Sequence, residues 1–276
     1  MTTSSTDTWR LLICEPDSGA RNMALDEAIL ESVSRGDSLP TFRLYAWQPA
    51  CLSLGYAQPV GDVDQEALAE RGWQLVRRPT GGRAILHTDE LTYAVIAPDN
   101  HPDLRGGVLE SYRRLSKGLI TGLAALGLRV DPVREISVAP GSRENPVCFE
   151  APSAYEITVA GLKLLGSAQV RRRGGILQHG TLPLAGDLSR ICLALRYRDS
   201  SARQAARARV LERAATLERL LDYAPAWSAV AQAMQSGFEE ALGWQFEVGE
   251  LLDSERARAH KLELERFSDP SWTERI

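Results

Sequence analysis

Between Tyr155 and Leu184, apolar residues alternate around two glycine turns, and a period of two puts successive side chains on opposite faces of a sheet. Tyr155, Ile157 and Val159 precede Ala160-Gly161, and Leu162, Leu164 and Gly166 follow it, which reads as a β-hairpin. Gly174-Gly175 opens a second turn, and Ile176 to Leu184 reads as another strand. The same stretch holds one cysteine, one lysine and one histidine. Cys148 falls on the loop entering the hairpin, Lys163 just past its turn, and His179 before Gly180 in the last strand. An ammonium group near a thiol is a usual way to make thiolate near neutral pH. Spacing alone equally admits a small buried Cys148, a solvated Lys163 and a strand-end His179 satisfied by backbone.

The rest of the chain bounds the class. A length of 276 residues suits one large domain that buries roughly three-quarters of its unfolded surface. A net charge of −4 offers no pervasive basic footprint, so nucleic acid is not an expected partner. No apolar run reaches the roughly 18 residues of a membrane span, and MTTSSTDTW lacks the pattern of a secretory signal. The cysteines at 14, 51, 148 and 192 are scattered, with no CxxC pair and no ligand-like spacing to histidine. Neither a zinc site nor a disulfide framework is expected, and a reduced, cytoplasmic enzyme is. Cys14, Cys51 and Cys192 sit in apolar patterns and read as core.

In order, Trp9 to Cys14 reads as an edge strand, and a helix follows with Asn22 as its cap, Asp26 and Glu27 near its positive end, and Leu25, Ile29 and Val33 packed inward. Gly36 and Pro40 end it. Thr41 to Trp47 and Cys51 to Gly55 are strands, and Asp64 to Arg71 a short helix. Gln74 to Arg78 and Arg83 to His87 read as strands joined by a tight turn at Pro79–Gly82, with Leu91 to Ala97 a third. Leu109, Tyr112, Leu115, Leu119, Leu123 and Leu126 make the stripe of a core helix. Asp131 to Asn145 is broken by Pro132, Pro140 and Gly141, a long loop feeding Cys148. Ser201 to Leu221 and Ala226 to Leu242 read as amphipathic helices, and Asp253 to Phe267 as a charged helix presenting a solvated face. One α+β unit spanning residues 1–276 is expected, a mixed, largely antiparallel sheet with C-terminal helices (about 201–276) packed on it.

The glycine pair Gly81-Gly82 is flanked by Arg77, Arg78 and Arg83. Exposed N–H groups beside positive charge can hold a carboxylate, a phosphate or a thioester carbonyl, although a plain turn with solvated arginines fits the same residues. No helix follows directly and GxxxxGK[ST] is absent, so this is not a P-loop.

Taken together, NMALDE, FRLYAW, CLSLGYAQ, RRPTGGRAILHTDELTYAV, CFEAPSAYEITVAGLKLLGSAQ and ILQHG resemble the biotin/lipoate protein ligase and transferase family, and within it the octanoyltransferases of the LipM type. The resemblance runs from about Ala20 to the last helices. It implies that family's catalytic-domain fold and transfer of an octanoyl group from octanoyl-acyl carrier protein to a lysine of an apo lipoyl domain or glycine-cleavage H protein. It makes Cys148 the acyl-accepting nucleophile and Lys163 the residue that lowers its pKa. It also implies a substrate wall of Arg77, Arg78, Thr80, Gly81, Gly82, Arg83 and His87 facing Gly166, Ser167, Ala168, His179 and Gly180. No metal or cofactor is implied. In the LipB-type octanoyltransferases the cysteine lies beside the HG pair; here GGILQHG has none, which leaves Cys148. The alternatives are an ATP-dependent lipoate–protein ligase, an amidotransferase moving octanoyl or lipoyl groups between proteins, and a silent acyl-protein binding module. Arg171, Arg172 and Arg173 are either a dock for an acidic carrier protein or solvated turn residues.

Overall fold

The computed structural model describes residues 7–131, Val147 and residues 156–276. Cys148 and the loop that feeds it lie outside the described residues.

Among the described residues, ten strands form two sheets. In the larger, β1 (Asp7–Ile13), β2 (Thr41–Tyr45), β6 (Glu90–Pro98), β7 (Glu156–Val159), β8 (Leu162–Arg172), β9 (Gly175–Pro183) and β10 (Trp244–Val248) run in the order β10-β1-β2-β6-β9-β8-β7. Pairing is parallel across β10-β1-β2 and antiparallel from β2 onward, the mixed sheet expected. The two hairpins follow from backbone chemistry: Ala160 and Gly161, then Arg173 and Gly174, adopt positive φ at both central positions, the twist that suits two-residue hairpin turns. β1 is not an edge strand. β10 covers it in parallel register from Asp7–Trp244 to Leu11–Val248, a pairing across the whole chain that no local pattern announces.

Alternation along β2 and β6 sends Phe42, Leu44, Tyr93 and Val95 to one face, where α3 (Val108–Ala125) and α6 (Trp227–Leu242) cover them with Leu115, Leu119, Met234 and Phe238. Tyr45, Ala94 and Ile96 face the other side, under α1 (Gly19–Arg35). Ser18, not Asn22, caps α1: its hydroxyl accepts from Arg21 N at 3.1 Å. Asn22 is buried one turn in, its amide donating to the carbonyls of Asp17 and Ala46.

The second sheet is β3 (Cys51–Leu54) between β4 (Gln74–Arg77) and β5 (Ile85–His87), with α2 (Gln65–Glu70) as the crossover between β3 and its parallel neighbour β4. β4 and β5 therefore do not form the expected hairpin. Pro79–Gly82 instead passes over the end of β3, so close that a Cβ on Gly55 would lie 1.9 Å from the Gly82 carbonyl oxygen.

Two C-terminal expectations are corrected. The stretch read as one helix divides into α4 (Ser200–Arg213) and α5 (Leu217–Leu221), because Ala215 N donates to the Lys163 carbonyl at 3.0 Å and draws Ala214–Thr216 into extended backbone beside β8. The charged segment, α7 (Asp253–Leu262) continued by a π-turn over Glu263–Phe267, is solvated on one side only: Ala259, Leu262 and Phe267 join the α1 core, and Glu255 is buried in a bidentate pair with Arg10. A last turn, α8 (Pro270–Thr273), follows. Among the described residues no helix is long and apolar enough to cross a membrane.

Candidate active site

A narrow, mostly apolar cleft opens where the large sheet, α1 and the second sheet meet. Expected residues on its wall are Arg78, Gly82, His87, Gly166, Ser167, Ala168, His179 and Gly180. Unforeseen ones are Met23 from α1, Tyr45 and Trp47 at the end of β2, and Ile85, Thr92 and Thr181. Gly180 has to be glycine, since a Cβ there would stand 2.6 Å from the Tyr93 ring and 2.8 Å from the Gly166 carbonyl oxygen. Ser167 borders the cleft, but its hydroxyl is 2.6 Å from that of Tyr93, whose pKa burial pushes up to about 12.

The wall is held by two buried histidines. His179 Nε2 lies 2.7 Å from Thr80 Oγ1 and its Nδ1 3.3 Å from Asp26 Oδ2. An ionised Asp26 can only accept, so Nδ1 carries the proton and the Thr80 hydroxyl donates to Nε2. Asp26 in turn takes Arg43 Nη1 at 2.7 Å and the Tyr45 hydroxyl at 3.0 Å, all fully buried. Burial works against the Asp26 charge, but Arg43 and His179 more than offset it and hold its pKa below the usual carboxylate value. Burial pushes the His179 pKa down, further than Asp26 pulls it up. The group is thus a neutral imidazole on a buried ion pair, fixing the residue next to Gly81-Gly82. Asp26 and Arg43 were not foreseen as site residues; an acid early in a helix and an arginine mid-strand carry no local mark of a shared interior.

His87 is fixed similarly, Nε2 2.8 Å from Ser53 Oγ and Nδ1 2.7 Å from Glu90 Oε1. Trp47 stacks on its ring with centroids 3.9 Å apart and donates Nε1 to Thr92 Oγ1 at 2.8 Å.

The arginines separate in role. Arg78 holds the glycine loop from within, donating to the carbonyls of Ser53, Gly81 and Arg83. Arg77 is not part of the cleft: its fully buried guanidinium donates to the carbonyls of Gly55, Gln58 and Thr273. Gly81, Gly82 and Arg83 line a wider groove that meets the cleft at Gly82. The run at 171–173 is engaged within the chain: Arg171 donates to the carbonyls of Leu104 and Gly106, Arg172 pairs with Glu27, and Arg173 with Glu31.

Lys163 is buried, not solvated, and its Nζ donates to Glu156 Oε1 across the hairpin at 2.7 Å. Its backbone pairs with Ala214. Ala214 shares an apolar cluster with Ala84 and Val147, which are themselves bridged in parallel. Among the described cysteines, Cys51 and Cys192 are fully buried, and burial, reinforced by Glu90, raises the Cys51 pKa far above that of a free thiol. Cys14 accepts from Arg43 Nε at 3.3 Å.

Residues 18–239 match the family model described as the lipoyl protein ligase A/B catalytic domain. The chain is 44% identical over 275 residues to an octanoyltransferase LipM of Kyrpidia tusciae, covering 97% of this chain and 99% of that one. It is 36% identical over 274 residues to an octanoyltransferase LipM of Staphylococcus aureus, with coverage of 97% and 98%. In three dimensions it resembles a bi-partite lipoate protein ligase from Thermoplasma acidophilum, with a TM-score of 0.82 at 24% identity over 97% of this chain and 96% of the other, which shows the shared fold. It also resembles a lipoate-protein ligase A bound with ATP, with a TM-score of 0.78 at 25% identity and coverage of 97% and 98%.

Proposed function

The chain belongs to the lipoyl protein ligase A/B catalytic-domain family, and from that premise we propose that it is an octanoyltransferase of lipoate biosynthesis, carrying the acyl group on Cys148. The Cys148 thiolate attacks the thioester carbonyl of octanoyl-acyl carrier protein and expels the carrier thiolate, leaving a new thioester on the enzyme. The amine of a lysine on an apo lipoyl domain or glycine-cleavage H protein then attacks, expels the Cys148 thiolate and loses a proton, leaving an amide. The first step exchanges like for like, and the stability of the amide draws the second forward. Neither step uses a metal, a nucleotide or a redox cofactor. The octanoyl chain occupies the cleft between Met23, Tyr45, Trp47 and Ile85, where burial of each CH₂ contributes about 0.8 kcal/mol. Backbone N–H groups at Gly81-Gly82 steady the oxyanion. The Lys163 ammonium, oriented by Glu156, favours the thiolate and takes part in proton transfer in the second step. Residues 1–276 act as one catalytic domain in the cytoplasm.

One observation carries the cysteine route. Val147, the residue before Cys148 in sequence, is bridged to Ala84, one residue past the Gly81–Arg83 loop, in the cluster whose Ala214 pairs with the Lys163 backbone. Arg77 and Arg78 are committed to backbone carbonyls, which counts against a ligase that would use them for nucleotide phosphates.

The test is intact mass after mixing the protein with octanoyl-acyl carrier protein without ATP. An octanoyl adduct, released by hydroxylamine, transferable to an apo lipoyl domain and missing from Cys148→Ala, is expected. Acceptor modification that appears only with ATP and free octanoate, with no enzyme adduct, would establish the ligase instead.

A further inference from the structure

The groove beyond Gly82 has a chemistry that the acyl cleft does not. Tyr56, Pro79, Gly82, Val170 and Arg172 line it, with Asp62 as its acid among the described residues. Gly166, Ala168, Val170 and Arg172 share one face of β8, so the strand runs from the cleft into the groove and ends at a guanidinium. From Gly166 to Arg172 is about 20 Å at the rise of a β-strand.

Around that end the fold concentrates positive charge. Arg172 and Arg266 share Glu27, and Arg173 and Arg258 share Glu31. Arg275 lies over the Tyr56 ring at 3.8 Å and over Trp272 at 4.2 Å, and Arg266 also lies over Trp272, at 3.7 Å. Four arginines from β8 and its turn, α7 and the following π-turn thus share two glutamates of α1, and Arg275 lies beside them over Tyr56 and Trp272. Burial first, and then Arg266 and Arg173, lower the pKa of Arg172 to about 10.

We propose that this groove binds the leaving-group arm of the acyl donor, an amphipathic pantetheine-like chain ending in a phosphate ester, with Arg172 and Arg275 receiving the phosphate. The inference rests on the transferase reading. An acyl thioester whose chain fills the cleft has to carry its thiol arm out past Gly82. The groove offers that arm proline, valine and tyrosine surface first and the Arg172 guanidinium at its end, with Arg275 over the ring of the lining Tyr56, and guanidinium forks suit phosphate oxygens.

The experiment compares octanoyl-4′-phosphopantetheine with octanoyl-pantetheine as donors to the full chain, reading enzyme acylation by intact mass and KM from its concentration dependence. The phosphate ester should have a KM lower by about tenfold, a preference that shrinks as salt is raised. Arg172→Gln and Arg275→Gln should each collapse the ratio of the two KM values. Arg275, near the chain end, keeps the test valid if loss of the Arg172–Glu27 pair unfolds the protein. Equal KM values, a preference that survives both variants, or competitive displacement of the phosphate ester by ATP would overturn the proposal. If both donors acylate Cys148 with equal KM, the transferase reading stands and the groove assignment falls. If neither acylates the protein, the transferase reading fails, and calorimetric titration with 4′-phosphopantetheine against pantetheine decides the groove on its own.

Discussion

His179 is a neutral imidazole resting on the Asp26–Arg43 pair, and its titration gives stability a direction with pH. The unfolded chain takes a proton on this residue near pH 6.5, whereas the native side chain resists it. Between pH 6.5 and the lower native value the unfolded state binds more protons, so stability falls as pH falls through that window. Urea unfolding midpoints from pH 5 to pH 7.5 should show this slope reduced in His179→Gln; an unchanged slope would remove His179 as its source. Asp26 acts lower down, stabilising the fold above its unfolded pKa of 3.8 and losing that contribution as pH drops through the native one. Asp26→Asn leaves the Arg43 guanidinium buried without its carboxylate, at a cost of about 3–5 kcal/mol by denaturant titration. Gly55→Ala is the counterpart in the glycine loop. A Cβ there meets the Gly82 carbonyl oxygen, so Gly81-Gly82 should be displaced and acylation should fall by more than the change in thermal midpoint accounts for.

Among the elements, α7 shows how charge patterns mislead. DSERARAHKLELERF has the composition of a solvated face, yet Glu255, Arg258 and Arg266 pair inward with Arg10, Glu31 and Glu27, while Asp253, Arg256 and Glu265 stay exposed. Glu255→Ala should cost about 3–5 kcal/mol in urea, because Arg10, only 7% exposed, loses the carboxylate that takes both its terminal nitrogens. A loss below 1 kcal/mol would return α7 to a surface helix. The hairpin of β7 and β8 is the opposite case. Its turn chemistry and alternation are local, so the Ala160-Gly161 turn was legible, while the burial of Lys163 and its pairing with Glu156 depended on which residue the register sets across the turn.

At the scale of the molecule, the chain's last residues brace the site. Arg77 donates twice to Thr273 O, Trp272 Nε1 donates to Arg77 O at 2.8 Å, and Arg275 donates to Tyr56 O at 2.7 Å. A chain ending at Ser268 should melt at lower temperature and show a raised KM for the acyl donor; an unchanged KM would dissociate the tail from the groove. The β7–β8 and β8–β9 hairpins and the core helices α1 and α3 followed from the sequence alone, because periodicity and turn preference act between near neighbours, whereas the pairing of β4 and β5 on either side of β3 did not. The family did follow, since its motifs are runs of adjacent residues. What only the tertiary structure decided is which distant charges share an interior: Asp26 with His179, 153 positions apart, Arg10 with Glu255, and β1 under β10. A polar residue by itself signals water. It becomes part of a core only when the fold brings a partner close enough to repay its desolvation, and that partner is named by strand order, not by sequence spacing.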